Sequence, residues 1–349
     1  MAQQPVANKQ RIEWIDLAKG LTILLVVIMH STGGVELHFD SEGWMHHVLA
    51  FATPFRMPVF FAVAGLFAAN AISKDWRTFL DSKFVHFAYF YVIWMTIQFI
   101  FKTPFFIQTL GSEGTLSYYI ASFVQPFGLL WFIYLLPIYF LVLRVTKPVP
   151  MLAQFVIAIA CKAYLTHTGI NVVDFFSKYY VFFLAGHFGR DLWFSLAGAA
   201  DRNRYTVFAG LSLWAGVNGA VVYLGYGDIL PVTILMGVLG FVAVIGLIAI
   251  VPKSGLAGTP AHLLRFCGQR SLPIYLGFFL PMGVSRLALS RFTDVIDVGT
   301  IAFLVSLTAI AGAIVMFEAV KRLKIGTFLY VRPEWARLRL RRVEMVPAE

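Results

Sequence analysis

The stretch DLAKGLTILLVVIMHS, residues 16–31, is apolar enough to lie in a bilayer, yet it holds a lysine and a histidine. Titratable groups in hydrocarbon are costly and mark a partner, a cavity or a function. Eleven residues separate Lys19 from His30. At 100° per residue that step is about 1100°, close to three full turns, so the two side chains share one helix face. The same step covers ~16 Å of helix axis.

Outward from this run the chain reads the same way. Of 349 residues 59% are hydrophobic and 13% charged, and 34 are phenylalanine. A soluble domain carries about a quarter charged residues, so the composition selects a membrane protein. The fold class predicted is all-α, an integral membrane protein of about ten transmembrane helices. The apolar runs fall near 15–35, 47–69, 82–101, 127–143, 149–165, 174–190, 206–224, 229–251, 271–290 and 299–319. Residues 115–125 read as a re-entrant piece or an outer loop.

The net charge of +10 raises nucleic acid as a partner, but the basic residues sit in short segments between apolar runs. Lys9 and Arg11, Lys74 and Arg77, Arg144 and Lys147, Arg202 and Arg204, and Lys253, Arg265 and Arg270 alternate with acidic or charge-poor segments at 36–46, 102–126, 166–173, 225–228 and 291–298. That alternation is a topology signal, and it puts both termini in the cytoplasm. No nucleic-acid signature is present. Three parts follow: a cytoplasmic tail over 1–13, a transmembrane domain over 14–320, and a basic cytoplasmic tail over 321–349. The last tail either lies on an anionic inner leaflet or is solvated. The first apolar run reads as a retained helix rather than a signal peptide. Cys161 falls on a helix and Cys267 in a polar loop on the opposite side, which argues against a disulfide, and no metal-binding spacing exists.

The second span, TPFRMPVFFAVAGLF at residues 53–67, sets Arg56 between Pro54 and Pro58. Running from outside to inside, it buries Arg56 at a depth near that of His30. An arginine there wants an anion or a polarised oxygen, or else clamps carbonyls freed by the prolines. Gly65 permits close helix packing.

Here the residues resemble a family. RIEWIDLAKGLTILLVVIMH (11–30) followed by FRMPVFFAVAGLF (55–67) is similar to the acyltransferase-3 superfamily, membrane-bound bacterial O-acyltransferases of surface and periplasmic glycans. Its signature of a basic residue, ten residues and a histidine is met by Lys19 and His30. Phe60, Phe61, Ala64 and Gly65 resemble its Phe-Phe-x-x-Ser-Gly element. SLPIY (271–275) and LLWFIYLLP (129–137) resemble two later blocks. Five positions depart: lysine stands for the commoner arginine at 19, Ala64 for serine, Lys83 and His86 for paired arginines, and Phe278 for a histidine.

The resemblance implies transfer of an acyl group, acetyl from acetyl-CoA, to a hydroxyl of an envelope glycan or lipid-linked sugar at the bacterial inner membrane. Such a transfer needs a base titrating near neutrality and a stabiliser for the developing oxyanion. His30 is the candidate base and Arg56 the candidate oxyanion or acceptor ligand. Lys19, Lys83 and His86, at cytoplasmic helix ends, are candidates for the CoA phosphates. The Lys19–His30 step is comparable to an extended pantetheine arm. Trp131 is a candidate for stacking on a sugar ring, or an aromatic-belt anchor; Tyr275 is a candidate hydroxyl for substrate, or a structural tyrosine. His38, Asp40, Glu42, His46 and His47 crowd one outer loop without a metal motif. The rival reading is a secondary transporter of a small anion built on Arg56. Its weakness is that Asp16, Asp174, Asp228 and Glu318 all lie near span ends rather than in mid-membrane.

Overall fold

The computed structural model describes residues 13–200, 202–251 and 259–338. Among them there is no strand, and sixteen α-helices succeed one another. The first is α1, Glu13–Phe39, then α2 (Trp44–Ala52), α3 (Arg56–Gly65), α4 (Ala68–Ile72) and α5 (Trp76–Phe79). A π-helical turn over Leu80–Val85 leads into α6 (His86–Ala121). Then come α7 (Trp131–Val145), α8 (Met151–Tyr164), α9 (Asn171–Phe188), α10 (Arg190–Ala200), α11 (Arg204–Tyr223) and α12 (Leu230–Ile250). The last are α13 (Pro260–Gln269), α14 (Ser271–Gly277), α15 (Phe279–Leu289) and α16 (Val298–Leu323).

Each of the ten apolar runs lies on helix, but length and hydropathy qualify six helices as spans, or eight when each bent pair counts as one. At 14 residues α8 is ~21 Å long, short of a ~30 Å hydrocarbon core. Both bent pairs have proline at the break. α2 and α3 meet at 40° across Thr53–Pro54–Phe55, and α14 and α15 at 51° around Phe278. Pro281 cannot donate to the Gly277 carbonyl four residues back, and its ring pushes that carbonyl aside. Pro58 falls in the first turn of α3, where an N–H would have no intrahelical partner anyway.

Two close crossings hold the functional helices in register. α1 passes α13 at Gly20 and Gly268: a Cβ on Gly20 would strike the Leu264 carbonyl, and one on Gly268 the Asp16 carbonyl. α3 passes α9 at Gly65 and Gly186, where added Cβ atoms would strike the carbonyls of Phe183 and Ala62. Gly65→Val is therefore expected to force these backbones apart. Overpacking of this kind costs about 1–3 kcal/mol or more. Thermal unfolding of the detergent-solubilised variant should show a lowered midpoint, and an unchanged midpoint would refute the crossing.

Elsewhere the structure departs from the sequence reading. Residues 102–126 are not an open loop. α6 continues to Gly111, whose φ of 70° and ψ of 176° reverse the chain, a conformation glycine adopts without steric cost. The second arm folds back on the first, with the Thr96 and Tyr119 hydroxyls 2.9 Å apart. Cys267 lies in α13 and is buried, not in a polar loop, and both cysteines are free thiols. As far as Leu338 the C-terminal segment is largely exposed, with Trp335 at 80%, but it is tied to the helices at several points. Arg332 donates to the Asp81 carboxylate at 2.6 Å and to its carbonyl at 2.8 Å. The Trp94 indole N–H donates to the Leu329 carbonyl at 2.8 Å, and Tyr330 is buried. Lys9, Arg11, Lys253 and the tail from 339 onward lie outside the described residues.

Candidate active site

The face of α1 that carries Lys19 and His30 looks onto two neighbouring cavities. The inner one, about 360 Å3, is lined by Lys19, Thr22, Lys83, Ser271 and Tyr275 among others. The outer one, about 10 Å3, is lined by His30, Met57, Trp131 and Tyr275 among others. Phe60, Phe132 and Tyr275 line both, so the two cavities adjoin across an aromatic constriction. Phe60 and Phe132 pack edge-to-face at 4.2 Å between centroids, and Phe132 meets Tyr275 at 5.9 Å. Tyr275 is buried, and its hydroxyl donates to the Leu129 carbonyl at 2.6 Å, which fixes the ring at the constriction.

At the inner end the two lysines converge from different helices. Lys19 lies on α1, and its ammonium is 4.8 Å from the Phe67 ring centroid. Lys83 lies in the π-helical turn, with its ammonium 4.2 Å from the Phe140 ring. The extra residue per turn in a π-bulge re-aims side chains and recurs at functional sites. His86 is not brought into this cavity. Its ring packs against Phe87 and Phe90, and the charges acting on it include Arg332, Lys83, Asp81 and Arg337.

At the outer end the His30 ring stacks on Phe278, 5.7 Å between centroids at 23°. Phe278 is the residue at the α14–α15 bend, so the break that Pro281 imposes delivers the ring to His30. The charged groups that act on His30 are Arg56 and Lys102. Arg56 begins α3 and reaches back across the break: one terminal nitrogen donates to the Thr53 hydroxyl at 2.9 Å and to the Leu49 carbonyl at 3.3 Å. Its Nε is buried and makes no hydrogen bond. Arg56 is thus a clamp on the proline break that uses one terminal nitrogen and leaves the Nε–H over.

Trp131 is not a belt anchor at the membrane surface. It is buried and stacked on Phe175 at 4.7 Å and Tyr179 at 5.6 Å, so only part of the ring lines the small cavity. The outer histidines lie beyond this site. His46 sits 3.2 Å from the Glu36 carboxylate and 3.7 Å from that of Glu42.

Sequence reasoning passed over Lys102, Gln98 and Arg286. Lys102 stands in QFIFKTPFF (98–106), one residue beyond the assigned third span, and Arg286 in PMGVSRLAL (281–289), inside the assigned ninth. An isolated cation within an apolar run was the available signal in both.

A multi-pass helical membrane protein with two lysines lining one cavity and a histidine lining a small neighbouring one defines a class, and the comparisons give it a family. The chain belongs to the acyltransferase-3 family: the family model described as "Acyltransferase domain" matches residues 12–318. One relative is "Inner membrane protein YcfT" of Escherichia coli K12, 38% identical over 86 residues, or 22% of this chain. That match spans 24% of the relative's own length. No solved structure matches the chain.

Proposed function

We propose that the protein is an integral membrane O-acyltransferase of the bacterial inner membrane. It takes an acyl group, acetyl from acetyl-CoA, on the cytoplasmic side and transfers it to a hydroxyl of an envelope glycan or lipid-linked sugar on the other. Both termini are cytoplasmic in this reading, and the ten apolar runs act as membrane segments, some of them bent or short. The observation that carries it is the pair of adjoining cavities on one face of α1: Lys19 and Lys83 line one, His30 lines the other, and aromatic rings stand between.

In the reaction the acceptor hydroxyl gives its proton to the His30 imidazole as its oxygen bonds to the thioester carbonyl carbon. Negative charge develops on the carbonyl oxygen, where the spare Arg56 donor is suited to receive it. The C–S bond then breaks, and the proton passes from His30 to the departing CoA sulfur. Lys19 and Lys83 hold the CoA phosphates, and the pantetheine arm lies along the Lys19–His30 face. Trp131 and Tyr275 shape the acceptor end, and membrane lipid is the other partner. No resident cofactor or metal enters this scheme.

Purified protein incubated with labelled acetyl-CoA should release free CoA and pass label to an acceptor or to water. A carrier of small anions would leave acetyl-CoA intact, and no CoA release above a protein-free blank rules the enzyme reading out. Lys19→Ala should raise the acetyl-CoA concentration needed for half-maximal rate about tenfold to a hundredfold, the worth of one hydrogen bond to a charged group. Lys19→Arg should be tolerated, because the family motif accepts arginine there. An unchanged dependence on acetyl-CoA concentration in Lys19→Ala would remove the phosphate role.

A further inference from the structure

Among the described residues some cations have carboxylate partners, as Arg332 has Asp81, Arg270 has Glu318 at 3.1 Å and Arg265 has Glu13. Others, such as Lys162 and Arg144, hydrogen-bond to carbonyls instead. None of the ion pairs formed among the described residues includes Arg56, Lys102 or Arg286. Geometry draws two of them together: Lys102 lies against Phe279 of α15, the helix that carries Arg286, and Arg286 reaches α1 one turn beyond His30.

Each is partly withdrawn from solvent. The Lys102 ammonium lies 5.2 Å from the ring centroids of both Phe127 and Phe279. Arg286 donates to the Gly34 carbonyl at 3.0 Å, one turn beyond His30 on α1, and its Nε is buried without a hydrogen bond. Gln98, one turn before Lys102 on α6, is 1% exposed, and neither atom of its amide is hydrogen-bonded. The hydroxyls of Ser31 and Thr32, beside His30 in sequence, are also buried without partners. Cations and donors gathered in a low-dielectric site without a carboxylate are costly unless a ligand supplies the negative charge. The oxyanion of the reaction is transient and needs one donor, which Arg56 offers. Lys102 and Arg286 remain.

We propose that Lys102 and Arg286 form a subsite for a permanently charged acidic group on the acceptor, with Gln98 as an additional ligand. This rests on the acyltransferase reading and narrows its substrate class. The acceptor is an acidic sugar, with a carboxylate or a phosphate close to the hydroxyl that is acylated. Lys102 approaches the group as a point charge, and Arg286 offers its free Nε–H. The hydroxyl is then presented to His30 by the same contacts that hold the charge.

Equilibrium dialysis of the purified full-length protein tests this without acyl transfer. Three labelled probes are compared: methyl glucuronide, glucose 1-phosphate and the neutral methyl glucoside. Wild-type protein should bind at least one acidic probe more tightly than the neutral one; which of the two binds tells carboxylate from phosphate. Lys102→Met should weaken that binding about tenfold or more, a loss of ~1.4 kcal/mol. Lys102→Arg, which keeps the charge, should retain most of it and guards against a folding defect in Lys102→Met. Equal binding of all three probes, no binding of either acidic probe, or undiminished binding by Lys102→Met overturns the subsite. Failure of the acyltransferase reading shows separately, as absence of CoA release by the wild-type protein.

Discussion

Replacing His30 by alanine is expected to abolish acyl transfer while leaving the protein inserted and folded. The imidazole is the basic side chain that lines the small cavity, where the acceptor hydroxyl must give up its proton. General-base catalysis contributes about a hundredfold to ten-thousandfold, and the loss should appear in the chemical step rather than in acetyl-CoA binding. Folding should survive because the ring's aromatic contact is a single stack on Phe278, and alanine strands no charge in the bilayer. The measurement is label transfer from acetyl-CoA by purified variant, normalised to monodisperse protein. Wild-type turnover by His30→Ala would end the catalytic assignment.

Arg56→Lys should be nearly as damaging as Arg56→Ala, although it keeps the positive charge. The guanidinium holds the proline break through Leu49 and Thr53 with one nitrogen and keeps its Nε–H in reserve. A lysine ammonium has no rigid fork and cannot do both from one geometry. Removing a transition-state donor costs about 2.7–4 kcal/mol, or roughly a hundredfold to a thousandfold in rate. A clamp alone would behave differently: the variants would be less abundant and less stable, yet each folded molecule would turn over normally. Rate per folded enzyme separates the two, and near-wild-type turnover in Arg56→Lys would leave Arg56 as a clamp only.

Much of the site was open to reading from local pattern. The Lys19–His30 spacing needs only helix periodicity, and the structure keeps both residues on one unbroken helix lining adjoining cavities. Arg56 between two prolines announced a broken helix, and a 40° break is there. What stayed hidden depends on contacts remote in sequence. Trp131 looked like a belt residue because it opens a span; its burial comes from α9, more than forty residues on, which supplies Phe175 and Tyr179. His86 lies three residues from Lys83, yet only Lys83 lines the cavity: Lys83 sits inside the π-helical turn and His86 opens the α-helix that follows it.

The amino-acid sequence by itself determined that this is an all-helical, multi-pass membrane protein and which helix face carries its titratable groups. Both follow from interactions within a segment: apolar length against bilayer thickness, and 3.6 residues per turn. Only the tertiary structure decided that the cavities meet at Phe60, Phe132 and Tyr275, that Arg286 reaches α1 one turn beyond His30, and that Lys102 packs on Phe279 of the helix carrying Arg286. It decided too that the C-terminal segment is fastened to Asp81. Those outcomes rest on glycine crossings, proline bends and a reversal at Gly111, whose angles set where helices far apart in the chain finally touch. Periodicity fixes which way a side chain points on its own helix; packing alone fixes what it points at.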